Sequence, residues 1–196
     1  MKTTIITLTL GLLVQCAPIF YGRLEPGQLK GSILVQWTDK DAFFFRPDPL
    51  DPLQFTRKNG ETIVPQLMRT DGGSIPRPLR ALKNYSPWGY APAFTIHDWI
   101  FWMHYCKLPG AEKYDVDSAA QIMAEAIKTQ MEKDKEIDRF TVYAMYEAVK
   151  SPLAHQAWNQ GKCNPVPDRR KKILILEGIQ EPVHVLNDNL VPGANV

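Results

Sequence analysis

The stretch "FTIHDWIFWMHYC", residues 94–106, decides how the rest of the chain is read. It is too long and too continuously apolar for an ordinary strand, and it has the length of a helix buried on most of its circumference. Pro92 can open that helix as its first residue, and the segment from Lys107 to Lys113, with Pro109-Gly110, breaks it. Two ionisable side chains, His97 and Asp98, stand side by side inside it. Ionisable groups are rarely buried unless paired, so the pair requires a reason. At about 100° per residue, His97, Phe101 and His104 share one stripe and Asp98 lies a step round. His97 and His104 are about 10 Å apart along the axis, too far for one metal ion held by both. The i,i+4 histidine spacing of an H-E-x-x-H zinc helix is missing. Two readings remain. In the first, His97 is a general base for water and Asp98 holds a hard cation that polarises the attacked oxygen. In the second, His97 hydrogen-bonds within the helical layer and Asp98 meets solvent or an arginine.

Upstream of this helix the pattern is that of strands. "KGSILVQWT" (30–38) and "AFFFRP" (42–47) read as two of them, separated by Asp39-Lys40-Asp41. Asn59-Gly60 predicts a hairpin in which 53–58 pairs with 61–64, since both turn residues tolerate positive φ. Pro65 ends the second strand or puts it on an edge. A short helix is expected around Arg77–Lys83. Downstream, "DVDSAAQIMAEAIKTQMEK" (115–133) reads as an amphipathic helix with Asp117 or Ser118 as N-cap, and Ile122, Met123, Ala126 and Ile127 recur at helical spacing. "EIDRFTVYAMYEAVKS" (136–151) reads as another, with Phe140, Tyr143, Ala144 and Ala148 on one side. "KKILILEG" (171–178) predicts a late strand.

A second cluster that can carry chemistry is "TDGGSIPRP" (70–78). Its composition favours a tight loop with exposed backbone amides. Asp71 can accept from those amides or hold a cation, while Ser74 can cap the helix that follows. No G-x-S-x-G elbow marks Ser74 as a nucleophile. The aromatic residues Trp88, Phe94, Trp99, Phe101 and Trp102 can form plain core or line an acyl groove. The basic run Arg169–Lys172 can be a solvated loop or attract anionic headgroups.

The 196 residues suit one domain with a sizeable core. A hydrophobic fraction of 44% and a charged fraction of 22% are those of a globular protein. The net charge of +2 argues against a nucleic-acid partner. Residues 1–16, "MKTTIITLTLGLLVQC", have the shape of a secretory signal: one Lys, about a dozen apolar residues, then Cys16. The ending Leu13-Val14-Gln15-Cys16 resembles a lipoprotein box, which implies lipidation of Cys16, with Gln15 departing from the small residue of that box. The alternative is an N-terminal strand over Thr3–Thr9. Export would leave Cys106 and Cys163 in an oxidising compartment, as one disulfide or as two buried thiols.

Two resemblances follow from these motifs. "ETIVPQLMRTDGGSIPRP" followed by "GYAPAFTIHDWIF" resembles a bacterial and phage family, domain of unknown function 1353, over roughly residues 43–150. Val64, Pro65, Thr70, Asp71, Ser74, Ile75, Pro76, His97 and Asp98 carry that likeness. "WGYAPAFTIHDWIF" is also similar to the active helix of secreted phospholipases A2. That likeness implies His97 as base and Asp98 as a calcium ligand near the carbonyls of Gly89 or Tyr90. Phe101 replaces the tyrosine of that helix, and Ala120 aligns with the aspartate that would orient the histidine, leaving Asp115 or Asp117 to substitute. The HD phosphohydrolase architecture needs a histidine upstream of His97, and this chain has none.

The expectation is therefore an α+β chain: an N-terminal antiparallel sheet with a hairpin, about three main helices and a late strand. A single domain would span 17–185, with a tail from 186 to 196. The functional expectation is an exported or lipid-anchored envelope hydrolase acting on phospholipid or ester substrates, with His97, Asp98 and Asp71 in the site, calcium as cofactor and membrane lipid as partner. The alternative is a non-catalytic envelope or phage-associated protein in which the same residues knit the loop at 70–76 to the helix.

Overall fold

The computed structural model describes residues 16–39, 42–70 and 89–164, and everything below concerns those residues. The expected leader, the loop expected around Asp71 and Ser74, Trp88, the helix expected near 77–83, the basic run Arg169–Lys172 and the strand expected over 171–178 lie outside the described residues. The architecture is α+β, with two small antiparallel sheets ahead of the main helices.

Residues 16–23 form a helical segment, α1. The strands follow: β1 Gln28–Lys30, β2 Leu34–Asp39, β3 Ala42–Arg46, β4 Gln54–Thr56, β5 Thr62–Ile63 and β6 Met68–Thr70. One sheet has the order β1-β4-β5 and the other β2-β3-β6. The strand expected over 30–38 is two strands, and Gly31 is the reason. Its φ of +93° turns the chain, and a Cβ there would sit 2.2 Å from the carbonyl oxygen of Pro52. Only glycine accepts both conditions. The Asn59-Gly60 hairpin forms, but with a three-residue loop rather than a two-residue turn. Arg57 N–H donates to Glu61 O at 2.8 Å and Gly60 N–H to Arg57 O at 3.0 Å. Gly60 alone has positive φ, while the Asn59 side chain accepts from Glu61 N–H at 3.0 Å. This is a type I turn followed by a left-handed glycine.

The helices are α2 Ala91–Cys106, α3 Val116–Asp134, α4 Arg139–Val149 and α5 Pro152–Gln160, with a 3-10 turn at Ala111–Lys113. α2 contains the whole decisive stretch. Pro92 lies in its first turn, and Lys107, in the left-handed region at φ 51°, ends it. In α3 the cap is Asp115, not Asp117 or Ser118: its carboxylate accepts from Ser118 N–H at 2.7 Å, and Ser118 Oγ accepts from Asp115 N–H at 2.8 Å. Ile122, Met123, Ala126 and Ile127 are fully buried and place α3 at the centre of the core. α4 is rotated from the expected face. Thr141, Val142, Met145 and Val149 are buried while Phe140 is exposed. Of the expected set, Tyr143 and Ala144 are half-buried, and Tyr143 packs its ring 5.4 Å from Phe20 of α1.

α1 is seated by a buried lysine. Lys128 Nζ, on α3, donates to the carbonyls of Tyr21 at 2.9 Å and Leu24 at 2.8 Å, closing the C-terminal end of α1. The sheets meet α3 through Arg57. Its guanidinium donates to both oxygens of Glu125, at 2.8 and 2.9 Å, and to Glu61 at 2.9 Å. Cys106 and Cys163 form a disulfide that ties the end of α2 to the segment after α5. No described helix is long and apolar enough to cross a membrane.

Candidate functional site

The site is built where β6 meets α2. β6 pairs with β3, Phe43 opposite Thr70 and Phe45 opposite Met68, so Thr70 and Met68 point to the buried face of that sheet. Thr70 Oγ1 donates to Asp98 Oδ2 in a short hydrogen bond. Asp98 Oδ1 lies 3.4 Å from His97 Nδ1. A line of polar atoms therefore runs Thr70, Asp98, His97 across the seam between sheet and helix. His97 is 2% exposed, and the Asp98 side chain 12%.

The other ring nitrogen is the informative atom. His97 Nε2 is buried and has no hydrogen-bond partner among the described residues. The imidazole packs on Phe101, with ring centroids 4.7 Å apart, and Phe101 meets Trp158 edge-on at 4.8 Å. The hydroxyl of a tyrosine is thus replaced by an aromatic stack reaching α5. His104, on the same stripe, stacks on Trp158 at 3.9 Å and takes no part in the His97 site.

The expected orienting aspartate on the second helix is not there. Asp115 is occupied as the cap of α3, and hydrogen bonds from Ser118 hold its carboxyl below the ordinary value. Asp117 is exposed, 3.7 Å from Lys150 Nζ. Ala120 is fully buried apolar packing. Asp98 itself faces the imidazole. Both its oxygens are engaged within the chain, and no three His, Cys, Asp or Glu side chains among the described residues are grouped to hold a metal ion. Tyr90 O, a carbonyl expected near a cation, accepts from Phe94 N–H at 3.0 Å as part of the first turn of α2. Phe94 and Trp99 are buried core, and Phe101 and Trp102 pack partly buried against it.

One open cleft, about 580 Å³, lies at the other end of α2, lined by His104, Tyr105, Lys107, Glu112, Tyr114 and Trp158 among others. His97 and Asp98 do not line it. Thr70 is the member of the site that the sequence reading gave no role. The signal for it was its place directly before Asp71 at a strand end.

The site is thus a buried His–Asp pair on a core helix, hydrogen-bonded to a threonine at a strand end. The chain belongs to the family described as protein of unknown function DUF1353, whose model matches residues 50–149. That span holds β4 to α4 and all three residues of the site. Among curated proteins and solved structures, none matches the chain.

Proposed function

We propose that the chain is a hydrolase in which His97 acts as general base and Asp98 orients it. The observation that carries this reading is the unpartnered, buried Nε2 of His97. Leaving such an atom unsatisfied costs about 1–3 kcal/mol, and a buried polar group kept in that state calls for an explanation. With its proton on Nδ1, directed at Asp98, the ring keeps a lone pair on Nε2. That lone pair can take a proton from water as the water oxygen bonds to an ester carbonyl. The imidazolium then returns the proton to the departing alkoxide, so the products are an acid and an alcohol. Thr70 fixes the far oxygen of Asp98 and holds the carboxylate toward the ring.

Calcium enters this reading through Asp71, since Asp98 serves the imidazole rather than a cation. An anchor in membrane lipid at Cys16 and residence in the cell envelope are part of the same proposal. The exposed thiol of Cys16 and the Cys106–Cys163 disulfide, a bond that persists in oxidising compartments, support it. Burial of His97 favours a second reading, in which Thr70, Asp98 and His97 only bind β6 to α2 in a non-catalytic envelope or phage-associated protein.

The test is hydrolysis of phospholipid and simple esters by wild type, His97→Ala and His97→Gln, each with calcium and with chelator. The hydrolase reading expects activity that falls by about 10²–10⁴ in both variants while folding is retained. Folded wild-type protein with no activity, or variants as active as wild type, would establish the structural reading instead.

A further inference from the structure

Among the described residues, the second sheet ends on an apolar edge that no further strand pairs with. β2 is hydrogen-bonded only to β3 among the described residues, so its outer N–H and C=O groups form a free edge. Register fixes which way its side chains point. Val35 lies opposite Phe45 and Trp37 opposite Phe43, and these continue to Met68 and Thr70 on β6. Directly opposed residues share a face, so Val35 and Trp37 are on the core-facing side of the sheet. Phe45 and Met68 on that side are fully buried, yet Val35 is 44% and Trp37 66% exposed. Among the described residues the core ends beneath β3, and β2 overhangs it. Leu34, on the other face, is exposed as well.

Natural edge strands carry lysine, proline or an inward charge that blocks pairing with another chain. In β2 the charge and the irregularity of register are confined to its end, at Asp39 and between Trp37 and Asp39, and residues 33–37, "ILVQW", carry no lysine, proline or charge. We propose that β2 is the interface of a homodimer, in which two copies pair antiparallel along their β2 edges with Gln36 at the two-fold axis. This register sets Val35 against Trp37 of the second copy and Trp37 against its Val35. It opposes only neutral side chains at the centre, and it places the apolar faces of both sheets on the same side. The overhang of each copy is then covered by a small–large pair from the two chains. Self-complementarity favours a second copy over an unlike partner, because a two-fold contact needs one patch that matches itself. The product is a six-stranded sheet, within the usual size. A contact of two strands is at the small end of specific interfaces, so the dimer dissociates on dilution. This inference does not depend on the hydrolase reading.

The experiment is sedimentation velocity of the full chain across a concentration series, with Val35→Lys and Trp37→Lys as variants. Both sites are exposed, so neither substitution burdens the fold. A dimer is expected whose dissociation constant rises at least tenfold in each variant. In a Cys16→Ser background, oxidation should cross-link Gln36→Cys to itself and leave Leu34→Cys uncross-linked. A monomer at every concentration overturns the proposal. So does a dimer indifferent to both lysines, cross-linking at position 34 in preference to 36, or a monomer that binds phosphatidylglycerol vesicles through Trp37.

Discussion

At His97 the two ring nitrogens have different surroundings, and that difference is what separates a base from a packing residue. Nδ1 faces Asp98, while Nε2 is buried without a partner among the described residues. Asp98→Asn keeps the volume but removes the charge that Thr70 and the ring share. The variant is expected to lose about 1–3 kcal/mol, read as a lower denaturation midpoint in urea. Lys128 is another buried polar residue with a defined task. Lys128→Met keeps the apolar stem and leaves the carbonyls of Tyr21 and Leu24 without their donor. Its expected cost is again about 1–3 kcal/mol, and each kcal/mol should lower Tm by roughly 2–4 °C in calorimetry. An unchanged Tm would mean that solvent satisfies the end of α1. His97 and Asp98 were legible because charge in an apolar run is conspicuous. Thr70 was marked only as a position of the family likeness, and its role was not legible, because its bond to Asp98 joins residues 28 apart in sequence. Lys128 was hidden for the same reason, since its partners are more than 100 residues away.

The elements show how far periodicity reaches. α2 and α3 repeat apolar residues over four turns or more, and both were found with their ends nearly in place. In α3 two aspartates compete as cap, and the choice depends on which has a side-chain acceptor three residues on. Asp115 has Ser118 in that position and takes the role. Asp115→Ala should therefore destabilise the protein by about 1 kcal/mol, while Asp117→Ala, at an exposed site beside Lys150, should change thermal stability little. Equal effects would place the cap elsewhere. α5 escaped notice because only Trp158 of its nine residues is buried, so no stripe repeats. β6 has three residues, too short for alternation to declare itself, whereas β5, with two, was legible through the Asn59-Gly60 turn. In α4 the aromatic residues drew attention to the wrong side. Its core face is made by the less conspicuous Thr141, Val142, Met145 and Val149.

At the scale of the molecule, one covalent tie and one polar network stand out among the long-range contacts of the described residues. The disulfide between Cys106 and Cys163 closes a loop with a sequence separation of 57, which contributes about 4 kcal/mol. The double variant Cys106→Ser, Cys163→Ser should lower the urea midpoint in proportion. The second tie is polar and responds to acid. Arg57 bridges Glu125 on α3 and Glu61 across the hairpin turn, and Tyr114 O–H donates to Glu61 at 2.7 Å. The hydrogen bond to Glu125, above all, raises the Arg57 guanidinium well beyond its ordinary value, so it stays charged. Burial pushes the Glu61 carboxyl up, but hydrogen bonds from Tyr114 and Arg57 and the charges of Arg57 and Lys113 outweigh it, and the net shift is downward. A carboxyl with a lower pKa folded than unfolded stabilises the fold in full above its unfolded value, about 4.3 for glutamate. That contribution is lost as pH falls from there through the folded value. Wild type should therefore lose stability steeply as the pH drops below about 4.3. Glu61→Gln should be less stable near neutrality and show a shallower acid slope, and Tyr114→Phe should lie between them. Urea denaturation repeated from neutral pH into this acid range measures all three, and parallel curves for wild type and Glu61→Gln would remove Glu61 from the acid response.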